Sequence, residues 1–232
     1  MVLCASTRGK LFDYGKIWFV PWKKPHKKRQ KGKEITMAKL YYYYGAMNSS
    51  KTANALMTHF NYEEVGQKAL LCKTEADTRD GVRKIRSRIG LEMECVLLKE
   101  LQLMTEEQIR AYDCIIVDEV QFATREQIDF LSDIVDFFDV PVVCYGLRAD
   151  FQNNLFTGSE RLIAIADSIN EIKTVCWCGK KATCNARYNE KGIVRDGEQV
   201  MLGANDSYVA LCRKHFKLGM LGPNIHPDAG KQ

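Results

Sequence analysis

Apolar positions along this chain fall into two alternating patterns. Residues 39–44, "KLYYYY", form a strand-like run that closes at Gly45, and a helical pattern follows from about Lys51, with Leu56, Met57 and Phe60 spaced to line one face. "KALLC", "CIIVD" and "PVVCYG" are short continuous apolar runs, the pattern of strands buried on both sides of a parallel sheet. Between the first two, residues 74–90 are dense in charge and carry Gly81 and Gly90, which predicts a mobile loop or short helix. "TREQIDFLSDIVDFF" places apolar residues at 128, 131, 134, 135 and 138, a helical period, with Thr124 and Gln127 in the positions of a capping box. "SERLIAIAD" predicts the next helix. Strands alternating with helices imply an open α/β sheet with helices on both faces.

From about Lys173 the alternation stops. Cysteines, glycines and short β-like runs ("EQVML", "YVALC") take over. The expected organisation is therefore a nucleotide-binding α/β domain over residues 37–172, a second small β domain over residues 173–222, and a tail over 223–232. A unit of about 50 residues is marginal for a hydrophobic core alone, so a metal staple would help it.

Composition narrows the class. The chain has 232 residues, 46% hydrophobic and 27% charged, as in an ordinary globular protein, and no apolar run approaches the roughly 18 residues of a membrane span. The net charge of +5 is unevenly placed: residues 1–36 hold 10 Lys/Arg against 2 Asp/Glu, and the other 196 residues hold 24 against 27. The excess lies in an arm, "WKKPHKKRQKGKE", with neither helical nor strand period, which reads as disordered. Such an arm could bind nucleic acid electrostatically. The simpler reading is a leader or upstream-start extension, because "MAKLYYYYG" at Met37 has the look of a natural start. Nine cysteines without a secretion signal point to a reducing compartment, the cytoplasm. Cys72, Cys114 and Cys144 lie in apolar runs and are expected as buried thiols.

Three constellations carry chemistry. In "YYYYGAMNSSKTANAL", Gly45 opens a loop after a strand, Lys51 and Thr52 supply a lysine and a hydroxyl, and a helix follows. A phosphate cradle needs these parts: backbone N–H groups at a helix N-terminus, a lysine for the β- and γ-phosphates and a hydroxyl for Mg²⁺. Ser50 stands where the pattern has its second glycine; it keeps the N–H, so the loop binds phosphate provided that position needs no glycine-only dihedral. In "CIIVDEVQF", Asp118 ends a hydrophobic strand where a Mg²⁺-organising carboxylate belongs, and Glu119 beside it can act as general base. In "VCWCGKK" and "LCRKH", Cys176, Cys178, Cys212 and His215 form a zinc-ligand set, with Cys184 as an alternative ligand because the Cys-x-Cys half is one residue shorter than the usual knuckle.

Taken in order, "GAMNSSKT", "DEVQF", "YGLRADFQNNLF", the cysteine pair and "GANDSYVALCRKH" give the chain from Met37 to about Gly222 a resemblance to thymidine kinases of the cellular, tetrameric, zinc-containing type, in their bacterial form. The resemblance implies a P-loop, RecA-like parallel sheet, a small zinc-containing β domain with a lasso-like loop, and phosphoryl transfer from ATP to the 5′-hydroxyl of thymidine. It places Gly45, Ala46, Met47, Asn48, Ser49, Ser50, Lys51 and Thr52 on the ATP phosphates, together with Asp118, Glu119, Val120 and Gln121. It makes Glu119 the proton acceptor. Met47, Phe122, Leu147, Phe151, Phe156 and Tyr208 would close the thymine pocket, with Val200, Met201, Leu202 and Gly203 reading the base edge through backbone. "TEADTRDG" and "IRSRIGL" lie where the family has a flexible segment near the phosphates, so Arg79 or Arg88 could contact the transferred group, though a solvated surface charge is the favoured reading of each. A homotetramer and feedback inhibition by dTTP are likewise implications of the resemblance.

Two other readings compete. A nucleic-acid-binding ATPase with a zinc ribbon would use the basic arm, but it leaves "LRADFQNNLF" unexplained, and the negative balance of the body argues against a nucleic-acid partner. A catalytically dead nucleotide-binding module would rest on Ser50 alone, against Lys51, Thr52, Asp118 and Glu119 together.

Overall fold

The sheet that carries the site is parallel throughout, as the continuous apolar runs require. The structure, a computed structural model, describes residues 37–76, 81–199, 208–223 and 225. The basic arm, most of the tail, Arg79 and the Val200–Gly203 loop lie outside the described residues.

In chain order the elements are β1 (Leu40–Tyr44), α1 (Lys51–Glu64), β2 (Ala69–Lys73), β3 (Lys84–Arg86), β4 (Glu92–Glu94), β5 (Val96–Leu97), α2 (Leu98–Leu101), α3 (Glu106–Arg110), β6 (Cys114–Asp118), α4 (Arg125–Phe138), β7 (Val142–Gly146), α5 (Thr157–Ile165), β8 (Ser168–Glu171), β9 (Thr174–Val175), β10 (Lys181–Ala182), β11 (Cys184–Asn189), β12 (Gly192–Ile193), β13 (Tyr208–Leu211) and α6 (Arg213–Leu218), with a 3-10 turn at Val120–Phe122 after β6. The central sheet runs β5-β2-β6-β7-β1-β8. Every pairing in it is parallel, with Lys73 opposite Asp118 and Tyr44 opposite Gly146 at the C-terminal ends.

Alternation within each strand sorts side chains onto two faces. Leu40, Tyr42, Leu70, Cys72, Ile115, Val117, Val142 and Cys144 pack with helical residues such as Leu101, Ile109, Ile128, Leu131 and Leu162. Leu71, Cys114, Ile116, Val143 and Tyr145 pack on the other face with Ala55, Leu56 and Tyr62 of α1. Cys72, Cys114 and Cys144 are fully buried, as their apolar runs predict. On α4 four of the five predicted positions, Ile128, Leu131, Ile134 and Val135, are buried, and Phe138 is half-buried against the same core. The Thr124 hydroxyl accepts the Gln127 N–H at 3.2 Å while Gln127 Oε1 accepts the Thr124 N–H at 3.1 Å, closing the capping box.

Two local expectations change. Leu56 is buried as expected, but Met57 and Phe60 are exposed, and the buried face of α1 is completed by Ala53, Ala55, His59 and Tyr62, of which Ala55 and Tyr62 pack with Leu56 against the sheet. The charged segment after Lys73 includes the antiparallel pair β3–β4, in which Lys84 and Arg86 both reach the carboxylate of Glu92 at 3.0 and 2.9 Å. Lys84 and Arg86 are thus paired across the two strands, and Arg88 lies exposed in the turn that joins them.

Residues 174–218 build two small antiparallel sheets, β10-β9 and β12-β11-β13, closed by α6. Their core is slight: Cys176, Ala182, Cys184, Ala186, Ala210, Leu211, Cys212 and Phe216. This part and the large sheet belong to one compact unit, Met37–Gln232.

Candidate active site

The phosphate loop leaves β1 at Gly45, where any side chain would collide: a Cβ there would lie 2.2 Å from Ser49 Oγ and 2.5 Å from the Ile172 carbonyl. The loop turns through two left-handed residues, Asn48 (φ 62°) and Ser50 (φ 60°), before α1 begins at Lys51. Ser50 thus occupies the left-handed helical region, which serine can enter at a cost of about 1–2 kcal/mol, and not a region reserved for glycine. Lys51 is buried within the loop, its Nζ donating to the Ala46 carbonyl at 2.9 Å and to Ser49 Oγ at 3.3 Å. Its ammonium is therefore held at the mouth of the loop by two neutral oxygens.

Asp118 and Glu119 follow at the end of β6. Asp118 is 2% exposed, and its Oδ1 has no hydrogen-bond partner among the described residues. Burial, reinforced by the neighbouring charge of Glu119, raises the Asp118 pKa well above the ordinary aspartate range. Glu119 adopts φ 51°, ψ 36°, an unusual backbone for a glutamate, which turns the chain sharply between strand and 3-10 turn. Its Oε2 accepts a short hydrogen bond from Gln121 Nε2, and Gln121 Oε1 accepts the Leu147 N–H at 2.9 Å. Gly146 makes room for this bridge, since a Cβ there would sit 2.7 Å from Gln121 Oε1. Val120 is buried in the core and Gln121 is committed to Glu119 and Leu147, so neither side chain faces open space.

The zinc-ligand set converges. The ligand atoms of Cys176, Cys178, Cys212 and His215 all lie within 4.8 Å of one another, with Cys178 Sγ to Cys212 Sγ at 3.9 Å and Cys176 Sγ to His215 Nδ1 at 3.4 Å. Tetrahedral Zn²⁺ with Zn–S near 2.3 Å and Zn–N near 2.0 Å would separate ligand atoms by about 3.5–3.8 Å. The donor set and its spacing fit a structural zinc. Backbone N–H groups at the start of α6, that of His215 foremost, pull the Cys212 pKa down toward the thiolate. Trp177 stacks on the His215 ring, centroids 4.2 Å apart and 10° from parallel. Cys184, the alternative ligand, is buried beside Thr183 and is not in the group.

The expected thymine-pocket residues gather at the same end of the sheet. Phe122 and Phe156 meet edge to face at 5.7 Å. The Leu147 carbonyl accepts from Tyr42 Oη at 3.0 Å and Ser159 Oγ at 2.5 Å, fixing the strand exit. Phe151 is fully buried under the guanidinium of Arg187, 3.8 Å from the ring centroid, and Tyr208 receives a 2.7 Å bond from Arg187 Nε.

The family model for thymidine kinase matches residues 38–216 of this chain. The chain belongs to the thymidine kinase family. It is 49% identical over 206 residues to a thymidine kinase from Rhodopirellula baltica, covering 78% of this chain and 89% of that protein. Thymidine kinases from Pasteurella multocida and Shewanella oneidensis are 47% and 44% identical, each alignment covering 78% of this chain and 97% of the relative.

In this kinase two site residues escape a reading by sequence alone. Asn185 and Arg187, on β11, are 5% and 3% exposed and alternate with Cys184 and Ala186, which fill the small core. Asn185 Oδ1 accepts the Met47 N–H in the phosphate loop at 2.8 Å, and its Nδ2 donates to the Ala149 carbonyl at 2.7 Å. Arg187 links Phe151, Tyr208 and the Gln199 carbonyl. The polar face of β11 therefore points into the molecule; the available signal was the alternation itself, which by itself reads as an exposed face.

Proposed function

We propose that this chain transfers the γ-phosphoryl group of ATP to the 5′-hydroxyl of thymidine, and also to deoxyuridine, to supply dTMP for DNA-precursor salvage. One observation supports the mechanism above the others. Lys51, Thr52, Asp118 and Glu119 meet at the C-terminal ends of β1 and β6, the crevice where α/β sheets bind nucleotides. The loop from Gly45 to Thr52 cradles the phosphates, and Lys51 exchanges its two loop oxygens for phosphate oxygens. Glu119 takes the proton of the 5′-hydroxyl as that oxygen bonds to phosphorus and the bond to the ADP oxygen breaks. Gln121 holds Glu119 in place for that transfer.

Asp118 and Thr52 fit a Mg²⁺ ion: hard oxygen donors, one of them a buried carboxylate oxygen without a partner among the described residues. Bound there, Mg²⁺ would neutralise charge on the β- and γ-phosphates. Met47, Phe122, Leu147, Phe151, Phe156 and Tyr208 enclose the thymine, with Val200–Gly203 at its polar edge. Shape around the methyl group discriminates weakly and polar pairing of the base strongly. Zn²⁺ on Cys176, Cys178, Cys212 and His215 staples the small domain over residues 173–222. The working form is a cytoplasmic homotetramer, inhibited by dTTP.

The test is phosphotransfer with ATP–Mg²⁺ to thymidine, deoxyuridine, deoxycytidine and deoxyadenosine, beside Glu119→Gln. Thymidine-selective transfer that disappears in the variant is expected. ATP hydrolysis stimulated by single-stranded nucleic acid, with no nucleoside product, would overturn the reading.

A further inference from the structure

Asn185 lies 138 residues from Met47 and 36 from Ala149, yet it bonds to both, from a strand of the small sheet. The orientation of its amide is forced. Met47 N–H can only donate and the Ala149 carbonyl can only accept, so the oxygen faces the phosphate loop and the nitrogen faces the segment after β7. Both bonds are short and Asn185 is 5% exposed; the bond to Ala149 is buried and the bond to Met47 part-buried. The two bonded residues come from different segments of the proposed site: Met47 from the loop that holds ATP, with its side chain toward the thymine, and Ala149 from between Leu147 and Phe151 of the nucleoside pocket. The other face of β11 carries Cys184 and Ala186, in the apolar cluster with the metal-ligand residues Cys176 and Cys212.

We infer that Asn185 is a positioning residue that sets the phosphate loop against the nucleoside pocket, fixing the distance between donor and acceptor and tying both to the metal-stapled sheet. The inference rests on the kinase reading above. Asn185 touches neither reacting atom in this arrangement; it acts through the backbone of Met47 and Ala149. Its two bonds are chemically distinct and can be cut one at a time.

Asn185→Asp keeps an acceptor for Met47 N–H but sets a carboxylate oxygen against the Ala149 carbonyl. Asn185→Leu, close in volume and uncharged, removes both bonds without burying a charge. In the full-length, zinc-loaded chain, Asn185→Asp is expected to raise the KM for thymidine about tenfold, the scale of one lost buried hydrogen bond, while the KM for ATP stays within about twofold. Asn185→Leu is expected to raise both by about tenfold, with zinc content unchanged. If Asn185→Asp does not fold, Asn185→Leu still decides. Two unchanged KM values in Asn185→Leu, or equal rises of both in a folded Asn185→Asp, would overturn the inference. Failure of the kinase reading is separate: it would show as no nucleoside phosphorylation by the wild type. Equilibrium ATP binding would then still test the Met47 half, with Asn185→Leu expected to weaken it and unchanged affinity overturning the role.

Discussion

Gln121 anchors Glu119: one amide end donates to the glutamate's Oε2, and the other accepts the N–H of Leu147, so the proposed base is tied to the exit of β7. Glu119 also carries left-handed backbone, which fixes where its side chain begins. Glu119→Gln should lower kcat by about 10²–10⁴-fold, the usual contribution of a positioned base, and leave thymidine binding largely intact. Gln121→Leu should retain the base but release it, lowering kcat by about 10–100-fold with little change in either KM. Steady-state kinetics with equilibrium thymidine binding would check both. Equal loss of binding and turnover in Glu119→Gln would make that residue structural.

Ser50 answers to a different test. At φ 60° it holds a conformation that glycine adopts freely and serine does not. Ser50→Gly should remove about 1–2 kcal/mol of strain and return about 0.5–1 kcal/mol of it as added freedom in the unfolded chain. A net gain of about 0.5–1 kcal/mol should appear as a melting temperature about 1–4 °C higher. ATP affinity should be equal or better, since the N–H remains. A lower melting temperature would mean that Ser50 makes a contact that offsets its backbone.

How far the sequence foretells the site depends on what each pattern measures. Continuous apolar runs located β2, β6 and β7 because a strand covered on both faces has only one composition available. The phosphate loop and the Asp118–Glu119 pair were legible because their chemistry is local. The burial of α1 was only partly so, since Ala55 and Tyr62 pack with Leu56 against the sheet while Met57 and Phe60 stay outside: the face that meets the sheet is set by the helix's placement. The polar face of β11 was not legible. Asn185 and Arg187 look like a solvated edge until a partner 138 residues away, Met47, is in place to receive one of them.

Asp118 should link metal to protons. Its raised pKa means that the folded, Mg²⁺-free protein holds this proton more tightly than the unfolded chain does. Stability without Mg²⁺ should therefore fall as the pH climbs from the ordinary aspartate range toward the raised value, and remain lower above it. Mg²⁺ requires the carboxylate, so its binding should strengthen with pH over the same window, by up to about tenfold per unit, and release a proton. Melting curves against pH without added Mg²⁺, and Mg²⁺ titrations in buffers of different ionisation enthalpy, would show both effects. Asp118→Asn should abolish the proton release and flatten the stability slope; an unchanged slope would assign it to other groups.

The metal cluster makes the last prediction, because the sheet it closes also carries Asn185 and Arg187. Eight buried side chains, half of them cysteine or alanine apart from the ligands, are a thin core for β9 to α6. Zinc binding in small sites contributes about 10–16 kcal/mol at neutral pH, far more than such a core can supply. The purified chain should hold about one zinc, measured by elemental analysis, and Cys212→Ser should lose it. Proteolysis should then cut within residues 174–218 first, while the parallel sheet persists. Since β11 reaches Met47 and Ala149 through Asn185, both substrate affinities should fall together with the metal. A metal-free chain that stays folded and fully active would remove Cys176, Cys178, Cys212 and His215 from the account and leave β11 held by packing alone.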